Sequence, residues 1–352
     1  MNRTAIEAVK ADCAAVVAGR VEELAPLKKG TLVVTGGTGF VGTWLAELVA
    51  HLNDAHGFGV QMVLIARSTD RFGIACPHLA TRSDVRLVKS DVRHMIEVPK
   101  ETNWFVHAAG TPDSRLHATN PLETMTVIAD GTDAVLRAVD RCNDLRMFLN
   151  VSSGLVYGPQ PLDLERVAET FHGAPAAASV SSAYAEAKRY AETLCSAARS
   201  QARIPLVIAR PFAFIGPYQP LDMPFAINNF IRDALAGKSI RVFGDGQTVR
   251  SYMYPSDMAF WLLRILTGGT SGLVYNVGSL EGNSLESAAR MVASLFDPQP
   301  EIVLRTAGAV VNRSRLVPDT TLCASSLKLS STVGLRQALE KTIAWHRSAE
   351  TA

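Results

Sequence analysis

From Thr31 onward the chain alternates two patterns. Short runs rich in β-branched and other apolar residues are followed by longer stretches whose apolar positions recur every three or four residues, the periods of buried strands and amphipathic helices. The runs predict strands at Thr31–Thr35, Val60–Ala66, Val85–Lys89, Trp104–His107, Met147–Val151 and Pro205–Arg210. The stretches predict helices at Gly39–Leu52, Pro121–Arg141 and Ser182–Ala202. Strands apolar along their whole length belong inside a sheet covered on both faces, so the expected class is α/β with a doubly wound parallel sheet.

The rhythm changes after Arg210, where Pro211, Pro217, Pro220 and Pro224 follow closely and disfavour another buried strand and helix in succession. A second, smaller α/β lobe is expected there, with a helix near Ala226–Ala236, a strand near Ile240–Phe243 and a helix–strand–helix tail over Leu285–His346. The expected organisation is a helical extension over residues 1–30, a main sheet domain over 31–210 rejoined by about 254–276, and a discontinuous lobe formed by 211–253 and 277–352.

Composition narrows the class. The 352 residues are 47% hydrophobic and 19% charged, with 35 Lys+Arg against 33 Asp+Glu for a formal charge of +2. That balance is ordinary for a globular protein and excludes a disulfide scaffold or a disordered tail. It provides no broad positive field for nucleic acid or an anionic membrane, so no partner of either kind is expected and an anionic partner should be small. Five scattered cysteines with no CxxC or Cys/His spacing read as reduced thiols, and no metal site is indicated. Glu7, Lys10 and Asp12 interrupt the first twenty residues, which therefore lack the apolar core of a signal peptide. No apolar run reaches the ~18 residues of a membrane span, so a cytoplasmic protein is the expectation.

Candidate chemistry begins directly after the first strand, in Thr35-Gly36-Gly37-Thr38-Gly39-Phe40-Val41-Gly42. A GxxGxxG turn between strand and helix predicts a dinucleotide site of Rossmann type: Gly36 for the tight turn, Gly39 for close approach of a pyrophosphate, Gly42 for close packing of the helix. Phe40 and Val41 open the helix whose N-terminus would face the negative charge. The second strand ends in Ala66-Arg67-Ser68 without the acid that commonly accepts from the ribose 2′-hydroxyl of NAD. Arg67 could pair with the 2′-phosphate of NADP, or Asp70 could supply the ribose contact instead, so NAD and NADP both stay open with a lean to NADP. Asp91 and Val92 after the third strand are candidate adenine contacts, and Ala108 and Ala109 after the fourth would let a cofactor lie against the backbone.

Tyr184 and Lys188 stand four residues apart on one predicted helix face. A phenol with pKa ~10 becomes a usable base when an ammonium and an oxidised nicotinamide favour its phenolate. A hydroxyl pair, Ser152-Ser153, ends the fifth strand in Val151-Ser152-Ser153-Gly154-Leu155-Val156-Tyr157-Gly158, where open α/β sheets bind ligands. The glycine loop, the SSxxxYG segment and the YxxxK pair, in this order, resemble the extended short-chain dehydrogenase/reductase family and its NAD(P)-dependent nucleotide-sugar epimerase/dehydratase branch, over roughly Thr31 to His346.

The resemblance implies a catalytic triad of Ser153, Tyr184 and Lys188, with Tyr184 and Lys188 also at the nicotinamide ribose and Ser153 at the substrate. In sugar 4,6-dehydratases of the family the two positions after the triad's Ser/Thr are acids; here they are Gly154 and Leu155. A conventional 4,6-dehydratase is therefore disfavoured, as is a glucuronate decarboxylase of the type with Glu at the second position. Arg210-Pro211-Phe212-Ala213-Phe214-Ile215-Gly216-Pro217 resembles the family's RxxNxYGP segment with Ala213 and Ile215 as departures, and Pro211 is a candidate cofactor contact. The stretch Phe243–Tyr254 resembles GDGxxxRDFVYV, which places Arg250 on a nucleoside diphosphate; Asn229, closing the variable loop Pro217–Asn229, is a further candidate substrate contact. Ile128 stands where the family often has Asn, and Asp257 is expected to cap the helix that follows it. By resemblance the helices Pro121–Arg141 and Ser182–Ala202 form a homodimer interface.

The expected activity is NAD(P)-dependent modification of a nucleoside-diphosphate sugar through a 4-keto species, foremost as a C4 epimerase with Tyr184 as acid/base. An NADPH-dependent 4-keto-6-deoxysugar reductase is the alternative that Arg67 would favour. A non-catalytic NAD(P) sensor on the same fold, which has no evident need of all four of Ser153, Tyr184, Lys188 and Arg250, is the alternative of another class. A steroid or flavonoid alcohol dehydrogenase of the extended family fits poorly with a diphosphate-type Arg250.

Overall fold

The computed structural model describes residues 3–95, 97–110, 112–305 and 313–350. Its centre is a parallel sheet of seven strands: β1 (Thr31–Thr35), β2 (Gln61–Ala66), β3 (Val85–Lys89), β4 (Thr102–His107), β5 (Met147–Val151), β6 (Leu206–Pro211) and the strand Val274–Val277. Their spatial order is Val274–Val277, β6, β5, β4, β1, β2, β3. The doubly wound α/β sheet expected from the sequence is thus present, with its direction of winding reversed between β1 and β4, which is where such sheets open a ligand crevice.

Side chains on successive strand residues serve two cores. Leu32, Val34, Leu64, Val106, Leu149 and Ala209 point into one, shared with the helix Phe40–His56, the helix Pro255–Gly268 and the N-terminal helix Arg3–Val17. Val33, Val63, Ile65, Phe105, Phe148 and Ile208 point into the other, beneath the helices Pro121–Val139 and Ala183–Gln201. Burial on both faces is why these strands read as unbroken apolar runs. Each fully buried Val, Leu or Ile contributes about 1.5–3 kcal/mol, so the two cores supply the dominant stabilising term.

A second, four-stranded sheet is built around Val249–Met253, which pairs with Gly282–Ser284, Arg315–Leu316 and Ala213–Phe214. Ile240–Phe243 pairs in parallel with Ile302–Arg305. The tail holds the helices Leu285–Ala293, Thr321–Leu327 and Leu335–Glu350. Asp12, read from the sequence only as a charge interrupting an apolar stretch, is a structural hub: its carboxylate accepts from Tyr254 Oη and Lys341 Nζ, both at 2.5 Å, tying the first helix to the last. Asp257 does not cap its own helix as expected. It lies inside the first turn, after Tyr254 at the N-cap, and its carboxylate accepts from the Thr332 and Val333 amides and the Thr332 hydroxyl. No helix among the described residues is long and apolar enough to cross a membrane.

Candidate active site

The crevice is formed where the chain leaves β1, β4, β5 and β6. At the end of β1, Gly36 takes φ +67°, and a β-carbon there would lie 2.6 Å from the Ala108 carbonyl oxygen. The turns after β1 and β4 therefore touch backbone to backbone, and Ala108 N donates to Thr35 O at 3.1 Å. Gly42 is pressed against Gly37, where a β-carbon would meet carbonyl O at 2.4 Å, so the helix Phe40–His56 starts directly on the turn. Gly39 is its N-cap and no side chain caps this end, which leaves the first helical amides, Phe40 and Val41 included, facing the crevice without a side-chain acceptor. A backbone cradle of unclaimed donors at a positive helix end fits a pyrophosphate, so these residues suit a dinucleotide. Gly37, not singled out in the sequence, belongs to the same cradle.

Around the expected adenosine end, Arg67 follows β2 and is 60% exposed, with Nη1 4.0 Å from Glu123 Oε1. Glu123 is also held by Arg93 Nη1 at 2.8 Å. The Asp91 carboxylate accepts from Arg93 Nη2 at 2.7 Å, Nε at 3.1 Å and the Arg93 amide at 3.0 Å, and this pairing pulls its pKa down to about 2. Val92 is buried, with Gly131 closely over it. Sequence reasoning missed the Arg93–Glu123 pair, because Glu123 lies on a helix far along the chain from β2 and β3.

At the other end the three triad residues converge. Ser153 follows β5 by two residues, and its hydroxyl is near enough to the Tyr184 phenol to lower its pKa. It also accepts from Leu155 N at 3.2 Å. Lys188, one turn beyond Tyr184, is 5% exposed and donates from Nζ to Val151 O at 2.7 Å, with Nζ 6.0 Å from the Tyr184 ring centre. Burial dominates both titrations. It raises the Tyr184 phenol to about 12, against the lowering effect of the Ser153 hydrogen bond, and lowers the Lys188 ammonium to about 8, against the attraction of Glu192.

Ile128, in place of the family's Asn, packs with Ala187, Ala191 and Tyr184 and makes this side of the phenol apolar. His117, which belongs to no motif singled out in the sequence, lies stacked on the Tyr184 ring. His107 is structural: Thr132 donates its hydroxyl to Ile128 O and thus accepts from His107 Nε2 at 3.2 Å, leaving Nδ1 to accept from Thr35 Oγ1 at 2.7 Å. Burial lowers its pKa to about 3, so it stays neutral.

Towards the second sheet, Pro211 ends β6 and Phe212 covers Gly154, where a β-carbon would lie 3.0 Å from the Phe212 ring. Leu155, in the second of the family's acid positions, is 47% exposed. Arg250 is anchored by its donations to Val249 O at 2.8 Å and Ser314 Oγ at 2.9 Å, and burial lowers its pKa. Asn229 lies partly buried in the helix Ala226–Leu235, and no described hydrogen bond of its side chain links it to the triad. Among the described residues no group of three or more His, Cys, Asp or Glu is arranged to hold a metal ion.

Comparison with known proteins agrees with this geometry. The model of the NAD dependent epimerase/dehydratase family matches residues 32–278. UDP-glucuronic acid decarboxylase 4 of Arabidopsis thaliana is 31% identical over 309 residues, which cover 88% of this chain and 66% of that protein; the chain thus spans just under two thirds of that relative's length. Among solved structures, UDP-glucuronic acid 4-epimerase from Bacillus cereus, in complex with UDP-glucuronic acid and NAD, superposes with a TM-score of 0.77 at 22% identity, covering 91% of this chain and 99% of that one. dTDP-glucose 4,6-dehydratase from Bacillus anthracis, in complex with NAD, gives 0.74 at 19% identity, covering 92% and 98%. At these identities the solved structures establish the shared fold.

Proposed function

The chain belongs to the NAD dependent epimerase/dehydratase family, and from that premise we propose that it is a nucleoside-diphosphate-sugar C4 epimerase with Tyr184 as its acid/base. The observation that carries this reading is the placement of Tyr184 near Ser153, whose hydroxyl lowers the pKa of the phenol, beside Gly154 and Leu155, so that the neighbours of the proposed acid/base lack the carboxylates of a dehydratase. Gly36, Gly39, Phe40, Val41 and Gly42, with Ala108, Ala109 and Pro211 along the crevice, would hold NAD, which would supply a hydride acceptor at the sugar carbon. Asp91 and Val92 flank the adenine end in this reading.

Tyr184 as phenolate takes the proton of the sugar C4 hydroxyl while Ser153 holds that oxygen by a hydrogen bond. Lys188, fixed by Val151 O, stabilises the phenolate when charged and holds the ribose side. Rotation of the resulting 4-keto sugar would present its other face to the same groups, and Tyr184 gives the proton back, so that the overall reaction would leave the sugar at its starting oxidation level. Arg250 fixes the diphosphate, and Asn229 lies on the same substrate lobe, formed by 211–253 and 277–352. Leu122 and Tyr190, 77% and 55% exposed on the paired helices Pro121–Val139 and Ala183–Gln201, support a homodimer through this face.

Two observations favour other readings. Arg67 at the end of β2 suits an NADPH-dependent 4-ketosugar reductase. The decarboxylase relatives suggest loss of CO2 from a hexuronic acid, against which Leu155 stands in place of the acid. Mass spectrometry of products from UDP-glucose, UDP-glucuronate and dTDP-glucose tests all three. A product of unchanged mass and altered chromatographic retention is expected. A product lighter by CO2 or by water overturns the epimerase reading, and two added hydrogens with consumption of NADPH supports the reductase. Cofactor binding with no change in any sugar favours the sensor.

A further inference from the structure

His117 belongs to none of the motifs above, yet its imidazole lies flat on the Tyr184 ring, with centroids 4.4 Å apart and planes 10° from parallel. It is 8% exposed. The short helix Ser114–Thr119 that carries it follows β4 and begins at Asp113, whose carboxylate accepts from the Arg115 amide at 2.9 Å. One face of the phenol is thus covered by an imidazole. Ile128, Ala187 and Ala191 pack nearby, the Ser153 hydroxyl lowers the pKa of the phenol, and Lys188 Nζ is 6.0 Å from the ring centre. Of the polar groups at this ring, only an imidazole ordinarily changes charge between pH 5 and 8.

We propose that His117 is a positioning residue for Tyr184, whose protonated imidazole, stacked on the ring, increases the phenolate fraction and sustains turnover at acidic pH. The proposal rests on the assignment of Tyr184 as acid/base. A cation over an aromatic face is attracted by the ring quadrupole, and the attraction grows when the ring becomes a phenolate in a site of low dielectric. The charged groups around His117 are Asp113, which favours the imidazolium; Arg115, which Asp113 and Asp222 engage; and Lys188 beyond the ring, which opposes it. The adjoining segment Val180–Ser182 brings no ionisable side chain, and Glu123 of the helix Pro121–Val139 is engaged by Arg93.

The test has two arms. In the first, the His117 imidazole is titrated by NMR in the wild-type protein and in Tyr184→Leu, its resonance assigned by its loss in His117→Gln. A pKa lower by about 0.5 unit or more in Tyr184→Leu is expected, and an unchanged pKa overturns the coupling whether or not a sugar is turned over. In the second, kcat and KM are measured from pH 8 to 5.5 on whichever of UDP-glucose and UDP-glucuronate is turned over, for the wild type and His117→Phe, which keeps a flat ring over Tyr184 without a titrating group. The ratio of wild-type to variant kcat is expected to rise about tenfold as pH falls from 8 to 5.5, with KM unchanged. His117→Gln serves if the Phe variant does not fold. A constant ratio overturns the role of His117 while leaving Tyr184 in place; activity surviving in Tyr184→Phe instead removes the acid/base assignment.

Discussion

Glu192 and Arg210 form a two-pronged ion pair directly behind the triad, Nε and Nη2 donating at 2.9 and 2.6 Å, with side-chain exposures of 12% and 14%. Glu192 also accepts from the Ser152 hydroxyl at 2.5 Å, and Arg210 stacks on the Tyr157 ring at 4.6 Å. The pair links β5, β6 and the helix carrying Tyr184 and Lys188. Removing one partner leaves the other charge buried and unmatched. Glu192→Leu is therefore expected to cost about 3–5 kcal/mol, and the double variant Glu192→Leu/Arg210→Met to recover much of it. Urea unfolding of Glu192→Leu, Arg210→Met and the double variant checks this; a double variant as unstable as the sum of the single changes would show that packing, not uncompensated charge, sets the cost.

Lys188 has the opposite sign. Burial lowers its pKa to about 8, below the ordinary value near 10.4, so the unfolded chain holds this proton more tightly than the fold does. Its charge destabilises the fold at neutral pH, and the penalty disappears as pH rises through 8 towards 10. The raised cysteine thiols act the other way over the same interval, since unfolding releases their protons, so the difference from a variant is the useful quantity. In protein stripped of cofactor, Lys188→Met is expected to be more stable than wild type at pH 7, its advantage shrinking by about 2 kcal/mol by pH 10. A constant difference in unfolding free energy would show that Lys188 titrates at its ordinary pKa.

Tyr184→Phe removes the phenolic hydroxyl near Ser153 while leaving the ring under His117. Turnover is expected to fall by about 10²–10⁴-fold, the usual contribution of a positioned acid/base. Calorimetric titration should find affinity for NAD little changed. Undiminished turnover would assign proton transfer to another group.

The sheet was legible where burial on both faces made a strand continuously apolar: β1, β3 and β5 begin and end at the residues expected, while β2 and β6 start one residue later. The first long helix runs beyond Leu52 to His56 because Gly57, at φ +62°, supplies the stop. The grouping of Ser153, Tyr184 and Lys188 was legible through the family resemblance, with the helical spacing of Tyr184 and Lys188 agreeing with it. His117 over Tyr184, Glu123 between Arg67 and Arg93, and Asp12 under Tyr254 were not. Each joins elements whose relative placement no local spacing encodes. Gly37 is a different case, because its signal was present in the turn and only its tight contact with Leu64 shows that it is sterically required.

Arg67 shares Glu123 with Arg93, at 4.0 and 2.8 Å respectively. The Arg67 contact is exposed and adds little stability, so the guanidinium is free to turn to a phosphate. Glu123 meanwhile repels a 2′-phosphate placed between the two arginines. Arg67→Ala is expected to weaken NADP binding at least about tenfold, the value of a charge-assisted hydrogen bond, with a much smaller effect on NAD. Glu123→Gln should strengthen NADP relative to NAD. Fluorescence titrations with both cofactors measure these ratios, and equal losses in Arg67→Ala would show that Arg67 does not read the 2′-phosphate.

Gly154 and Phe212 together explain why the first acid position of a dehydratase is closed in this chain. A β-carbon at residue 154 would sit 3.0 Å from the Phe212 ring, tighter than ordinary contact, and Phe212 is itself packed against Val156, Tyr157 and Val167. Gly154→Asp therefore forces the ring to move and is expected to cost about 1–3 kcal/mol through overpacking. In Gly154→Asp/Phe212→Ala the carboxylate gains room, at the price of the cavity left by the ring. The decisive quantity is the coupling between the two changes: the double variant should be more stable than the sum of the single effects predicts. Thermal unfolding of the four proteins in this cycle gives that coupling, and strict additivity would mean that position 154 is open to an acid and that its absence has a cause other than Phe212.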